Sequence, residues 1–236
     1  MTFFLREREG SLIEQMDRPD CELRRLRRSY ARFPVINFLL ARWGRNYEQR
    51  IRPLLAGSTA TTLLDIGCGG GDVVRRLARR AARDGFHLAA TGADPDPRAH
   101  DFATSRKASD GVRYRRALSS ELVAEGGRYD VVISNHVLHH LSPAELAAVL
   151  SDSERLARHL VLHNDLRRSR IAFLLFMVAF WPLGPGSYIH TDGLASIRRS
   201  YTPAELRDIV PPGWQLERNG PWHILLVYRP PGAGSA

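Results

Sequence analysis

From Thr61 onward the apolar positions alternate between two rhythms. Thr61–Ile66 is a short continuous apolar run closed by glycines, whereas residues 73–83 repeat apolar positions at helical spacing. Leu88–Ala93 reads as the next strand, 97–107 as a helix, 112–117 as a third strand and 129–134 as a fourth. Residues 160–162 form the centre of a fifth. Between the last two, Ser142-Pro143-Ala144-Glu145 offers an N-cap serine, proline at the first helical position and glutamate at the third. That pattern predicts a helix to about Ala157. Strands alternating with helices predict an α/β fold, a parallel sheet covered on both faces.

The two ends break the rhythm. Residues 1–55 read as a helical cap, with Leu23, Leu26, Tyr30, Phe33 and Ile36 forming a stripe interrupted near Pro34. At the other end, strands at 214–217 and His223–Tyr228 are separated by only Arg218-Asn219-Gly220-Pro221, too short for a crossover. The parallel sheet is therefore expected to finish in an antiparallel hairpin. The expected division is a cap over 1–55 and a main domain over 56–236, with a helical lid inserted at about 166–201. The Pro/Gly-rich tail after Arg229 is expected to be loose.

The 236 residues are 44% hydrophobic and 25% charged, which excludes a disordered or collagen-like chain. Two cysteines, Cys21 and Cys68, are too few for a disulfide scaffold and suit a reducing, cytoplasmic setting. The net charge of +9 comes almost wholly from arginine, since Lys107 is the only lysine. It reads as a compositional habit, and nucleic acid is not the expected partner. The apolar start Met1–Leu5 gives way at once to Arg6-Glu7-Arg8-Glu9, unlike a secretory signal. The longest apolar stretch, 171–183, has thirteen residues against the roughly 20 that span a bilayer. It is expected to be a buried helix or a pocket lid; the alternative is peripheral membrane contact, encouraged by Arg167, Arg168 and Arg170.

The chemistry concentrates in Leu63-Leu64-Asp65-Ile66-Gly67-Cys68-Gly69-Gly70-Gly71-Asp72, between the first strand and its helix. Glycines there allow a sharp turn and close approach of a ligand at the strand ends. A dinucleotide fingerprint begun at Gly67 requires glycine where Asp72 stands. The spacing is instead acidic-x-G-x-G-x-G on Asp65, Gly67, Gly69 and Gly71, and an aspartate beside the loop suits a cationic ligand. Asp94, in Gly92-Ala93-Asp94-Pro95-Asp96 at the end of the second strand, is placed to accept both hydroxyls of a ribose.

These motifs, with Tyr129-Asp130-Val131-Val132-Ile133-Ser134-Asn135-His136-Val137-Leu138-His139-His140, resemble the class I S-adenosylmethionine-dependent methyltransferases of small molecules, over about residues 45–229. The resemblance implies a Rossmann-like fold and S-adenosyl-L-methionine as cofactor. Gly67, Cys68 and Gly69 would lie along its methionine and adenosine parts, Asp94 with Pro95 at the ribose, and Asn135 and His136 at the sulfonium end. One departure stands out. The acid that such enzymes often place after the third strand for the adenine is missing, and the Leu118 backbone or the Ser119 hydroxyl would have to replace it.

Ile13-Glu14-Gln15-Met16-Asp17-Arg18-Pro19, Ile36-Asn37 and the stretch His190 to Tyr201 are also similar to actinobacterial methyltransferases associated with type III polyketide synthases. That likeness implies a small-molecule acceptor: an apolar hydroxylated aromatic, quinol or polyketide, methylated on oxygen. The alternatives are C-methylation of a quinol or resorcinol ring, RNA or lipid methylation, and a non-catalytic partner subunit. For proton removal, His190 oriented by Asp192 is the first candidate base, on what reads as a substrate-facing loop, and His139 the second. Phe173, Phe176, Phe180 and Trp181 are expected in the core or as a roof over the acceptor. His136, His139 and His140 have metal-ligand spacing, but the sequence places no carboxylate or cysteine beside them, so no metal is expected.

Overall fold

The computed structural model describes residues 5–55 and 60–231. Seven strands form one sheet: β1 (Thr61–Ile66), β2 (Leu88–Ala93), β3 (Val112–Arg115), β4 (Tyr129–Asn135), β5 (Ala157–Leu166), β6 (Gln215–Arg218) and β7 (His223–Tyr228). Their order is β3-β2-β1-β4-β5-β7-β6. β1 runs parallel to both β2 and β4, which puts the chain reversal of the sheet at the end of β1. β7 is antiparallel to both neighbours, so the expected closing hairpin is present.

Alternating residues of the central strands feed two separate cores, as a period of two requires. Leu63, Val131, Ile133, Leu160 and Leu162 pack under α2 (Trp43–Asn46), the turns that follow it, and α3 (Asp72–Arg83), through Trp43, Tyr47, Ile51, Val74 and Leu77. Leu64, Val132 and Val161 face the opposite way. They pack with Leu122 of α5 (Ser119–Ala124) and Leu156 of α6 (Pro143–Leu156). Near β7, Leu146 and Leu150 meet Leu206 of α9 (Pro203–Ile209).

The first long helix, α1 (Leu23–Leu39), continues through Pro34, contrary to the expected interruption. Pro34 lies on the exposed side, while Leu26, Tyr30, Ile36 and Asn37 are buried. Packing of that face outweighs the lost backbone hydrogen bond. Leu26 and Tyr30 bury against Ala99 and Phe102 of α4 (Pro97–Thr104) and against Tyr188. The described residues before Gln15 are not helical, a second departure from the expected cap. They run as a strap across the turn after β4. There the Arg8 guanidinium donates to the carbonyls of Arg199, His139 and Leu141 at 2.6–2.9 Å. The insert consists of α7 (Arg170–Ala179) and α8 (Ile189–Arg199). The expected boundary at 55/56 abuts residues 56–59, and the tail ends in 232–236; both segments, like residues 1–4, lie outside the described residues.

Candidate active site

The loop after β1 is folded over the end of β2: the amides of Gly67 and Cys68 both donate to the carbonyl of Ala93, at 2.8 and 3.1 Å. Two glycines are indispensable to that path. Gly67 has φ +66°, and a Cβ there would lie 2.6 Å from Val137; Gly71 has φ +72°, and a Cβ there would lie 2.5 Å from the Tyr114 ring. The Asp94 carboxylate closes the loop, accepting from the Gly69 amide at 2.8 Å through one oxygen and from the Asp96 amide at 2.9 Å through the other. Each oxygen retains a free lone pair, as a diol partner requires.

A cavity of about 460 Å³ opens beside this loop. Its walls carry Asp65 from β1, Asp72 from the start of α3, Asp94 from just after β2, Glu14 from the strap, Asp17 from the turn that follows it, and Tyr30, Phe33 and Asn37 from α1. Burial pushes the carboxyl of Asp65 well above the usual range, and the negative neighbours Asp72 and Asp94 add to that. One Asp65 oxygen has no hydrogen-bond partner. Asp72 and Asp94 are raised by burial too, although Asn37 donates to Asp72 at 2.9 Å. Three carboxyls held this way at one wall favour an incoming cation.

A chain of side-chain amides braces the opposite wall. Asn219 donates to Asn164, Asn164 to Asn135, Asn135 to Asn37, and Asn37 to Asp72, over 2.8–3.1 Å steps. Trp43 Nε1 donates to the same Asn135 oxygen at 2.8 Å. His136 then takes a left-handed conformation, φ +59°, and its Nε2 lies 2.8 Å from Nε2 of His223. Burial lowers His136 to about 4 and His223 to about 3, so both rings are neutral and share one proton between those nitrogens.

His139 is buried against Asp165, with Nδ1 to Oδ1 at 2.7 Å, and Asp165 also accepts from the His139 amide at 2.9 Å. Burial opposes the charged imidazole, but Asp165 and Glu14 outweigh it and push His139 up to about 10. Its partner Asp165 is held well below the ordinary carboxylate range by His139 against the effect of burial. Beside it, His140 Nδ1 lies 3.0 Å from Asp17, and Arg199 lies 3.3 Å from Asp17 and 3.8 Å from Glu14.

Of the residues anticipated for the cofactor, Asp65, Gly67, Cys68, Gly69, Asp94, Pro95, Asn135 and His136 line this one cavity. Gly71 shapes the loop without lining it. Leu118 and Ser119 do not reach it: the Leu118 amide donates to Glu121 at 2.7 Å and the Ser119 hydroxyl to Asp152 at 2.6 Å. His190 is not on a loop but in α8, outside the cavity lining, with Nε2 2.9 Å from the Met177 carbonyl. Asp192 does not orient it, because residues two apart on a helix point away from each other. Its carboxylate instead accepts from the amides of Gln15 and Met16 at 3.0 and 2.9 Å, pinning the strap. His139 does line the cavity. His163 lies within β5 and outside that lining. Phe176 and Phe180 line a separate apolar pocket of about 280 Å³. Glu14, Asp17, Tyr30 and Asn37 were not foreseen as site residues. The local signal at hand was that Glu14, Asp17 and Asn37 fall in stretches already similar to known methyltransferases.

This strand order, with its glycine loop at the end of β1 and a carboxylate just after β2, is a fold shared with solved S-adenosylmethionine-dependent methyltransferases. Residues 63–159 match the family described as "Methyltransferase domain". The plantazolicin methyltransferase BpumL, solved with S-adenosylhomocysteine, aligns over 87% of this chain and 96% of its own, with TM-score 0.57 and 13% identity. Magnesium protoporphyrin IX methyltransferase from Synechocystis, solved with S-adenosylmethionine, aligns over 84% of each chain, with TM-score 0.52 and 16% identity. Among curated proteins, the ubiquinone biosynthesis O-methyltransferase of Cereibacter sphaeroides is 31% identical over 153 residues, 63% of this chain and 57% of that protein. The one from a Methylobacterium species is 39% identical over 83 residues, 34% of this chain and 31% of that protein. The chain thus spans about a third to just over half the length of these relatives. Among the described residues, no helix is long and apolar enough to cross a membrane.

Proposed function

We propose that this protein transfers the methyl group of S-adenosylmethionine to a hydroxyl oxygen of a small, apolar aromatic or quinol acceptor. One observation carries the cofactor assignment: Asp65, deeply buried and with one unpartnered carboxyl oxygen, lines the same cavity as Asp94, whose two oxygens keep lone pairs to spare. Asp65 and Asp72 suit the ammonium end of the cofactor, Asp94 its ribose diol, and Tyr30, Phe33 and Pro95 its purine. The bound cofactor supplies an electrophilic methyl group. The chain holds donor and acceptor in line and excludes water.

The acceptor class rests on two supports. Met16, Tyr30, Phe33 and Val137 give the cavity its apolar walls, and the curated relatives are named as O-methyltransferases of ubiquinone biosynthesis. Proton handling falls to the carboxylate-linked imidazoles His139 and His140, which replace His190 as candidates. His139, held protonated at neutral pH, donates to the acceptor oxygen and stabilises it as a phenolate, while the proton that oxygen loses passes to His140 or to solvent. A panel of catechols, quinols, resorcinols and aliphatic alcohols, incubated with methyl-labelled cofactor, tests this reading. Label is expected on phenolic oxygens; label on ring carbon, or on no member of the panel, would overturn the acceptor assignment.

A further inference from the structure

His139, His140 and Glu14 meet where the strap crosses the turn after β4, in the cavity that also holds the glycine loop. One ligand atom from each, two imidazole nitrogens and a carboxylate oxygen, lie within 4.8 Å of one another. The sequence suggested no metal because it showed no carboxylate beside the histidines; the fold brings Glu14 there from 125 positions away.

Both rings are already oriented by a carboxylate on the far nitrogen. Asp165 holds Nδ1 of His139 at 2.7 Å, and Asp17 lies 3.0 Å from Nδ1 of His140. Each Nε2 is thereby turned toward Glu14, at 3.4 Å for His139 and 3.9 Å for His140. The Nε2 of His139, in a side chain only 2% exposed, has no hydrogen bond. Glu14 is fixed in turn by the Ser196 hydroxyl, which donates to Oε1 at 2.8 Å. A carboxylate behind each ligating imidazole is the usual outer shell of a protein metal site. Glu14 and Asp17 face the guanidinium of Arg199, and Asp165 stands behind His139, so three carboxylates surround the two imidazoles.

We propose that Glu14, His139 and His140 bind one divalent first-row transition ion through two Nε2 atoms and one carboxylate oxygen. Two imidazoles with one carboxylate favour zinc, cobalt, iron or manganese over magnesium and calcium. His140 is 29% exposed, so the ion retains coordination positions open to the cavity. Resting on the methyl-transfer reading, those positions would receive the acceptor oxygen, the ion taking over the part of the His139 proton and lowering the pKa of the acceptor hydroxyl. Binding replaces a proton on His139 with the ion, so affinity rises with pH.

The test is titration of the untagged, metal-stripped full chain with Co²⁺, followed by visible absorption. One equivalent should give a d–d band that one equivalent of Zn²⁺ abolishes, and Glu14→Gln and His140→Ala should each weaken binding at least tenfold. Absence of the band at millimolar Co²⁺, or wild-type affinity in Glu14→Gln, would overturn the proposal. Should the variants fail to fold, Mn²⁺ broadening of the wild-type imidazole resonances decides. His139 and His140 are expected to broaden first, and equal broadening of the surface histidines His87, His100 and His159 contradicts the site. S-adenosylhomocysteine affinity, measured separately on the same samples, distinguishes failure of this site from failure of the methyl-transfer reading.

Discussion

At the scale of single residues, two aspartates of the cavity wall, Asp65 buried and Asp94 half-buried, have different tasks. Asp94 is committed by two backbone amides and keeps a lone pair on each oxygen, which the proposed function assigns to the ribose diol. Replacing it with alanine is expected to weaken S-adenosylmethionine binding by tenfold or more, about 1.4 kcal/mol or above, read by calorimetry; unchanged affinity would remove the ribose assignment. Burial, and after it the negative neighbours Asp72 and Asp94, push the Asp65 carboxyl well above the usual carboxylate range. A cation arriving at its orphan oxygen stabilises the charged form and expels the proton. At a pH between the raised value of the free protein and that of the complex, cofactor binding should therefore release protons, giving an apparent enthalpy that varies with the ionisation enthalpy of the buffer. Asp65→Asn should lose that variation.

At the scale of elements, what was legible in the sequence was local. The glycine loop, Asp94 and the hairpin are each set by a few neighbouring residues, and they stand where the pattern put them. What was not legible depends on distant partners. Within the expected helical insert, the residues around His190, among them Thr191, Asp192 and Gly193, read as a loop. They are helical because the first turn packs on Ser29 and Tyr188, and because the strap caps Asp192. Glu14 and Asn37 reach the cavity only through the packing of the strap and α1, which no short window displays. Pro34 teaches the same lesson about propensity. Since it sits exposed within an otherwise regular helix, Pro34→Ala restores a backbone hydrogen bond at no packing cost. The variant should be more stable by about 1–3 kcal/mol in urea denaturation; equal or lower stability would show that α1 is bent there for packing.

At the scale of the whole molecule, the sheet is both scaffold and source of pH sensitivity. His163 is buried within β5, 2.7 Å from the Ser134 hydroxyl and stacked on Trp214. Burial lowers it to about 3 from an ordinary value near 6.5. Between those values the unfolded chain binds the proton and the folded chain does not. Its contribution to stability is therefore complete above about 6.5 and is lost as pH falls toward 3. The wild-type protein should lose stability on acidification more steeply than His163→Gln, by up to about 1.4 kcal/mol per pH unit across that window. Parallel slopes would mean that the buried ring accepts a proton at ordinary cost.

The same architecture collects the strap, α1, the glycine loop and the turn after β4 around one acid-walled cavity, and the central claim is that this cavity is built for a sulfonium nucleoside rather than a dinucleotide. Calorimetric titration of the purified chain with S-adenosylhomocysteine, with NADH as control, tests it directly. Micromolar binding of S-adenosylhomocysteine at one equivalent, with no heat from NADH, is the expected result. Binding of NADH, or of neither ligand, would contradict it.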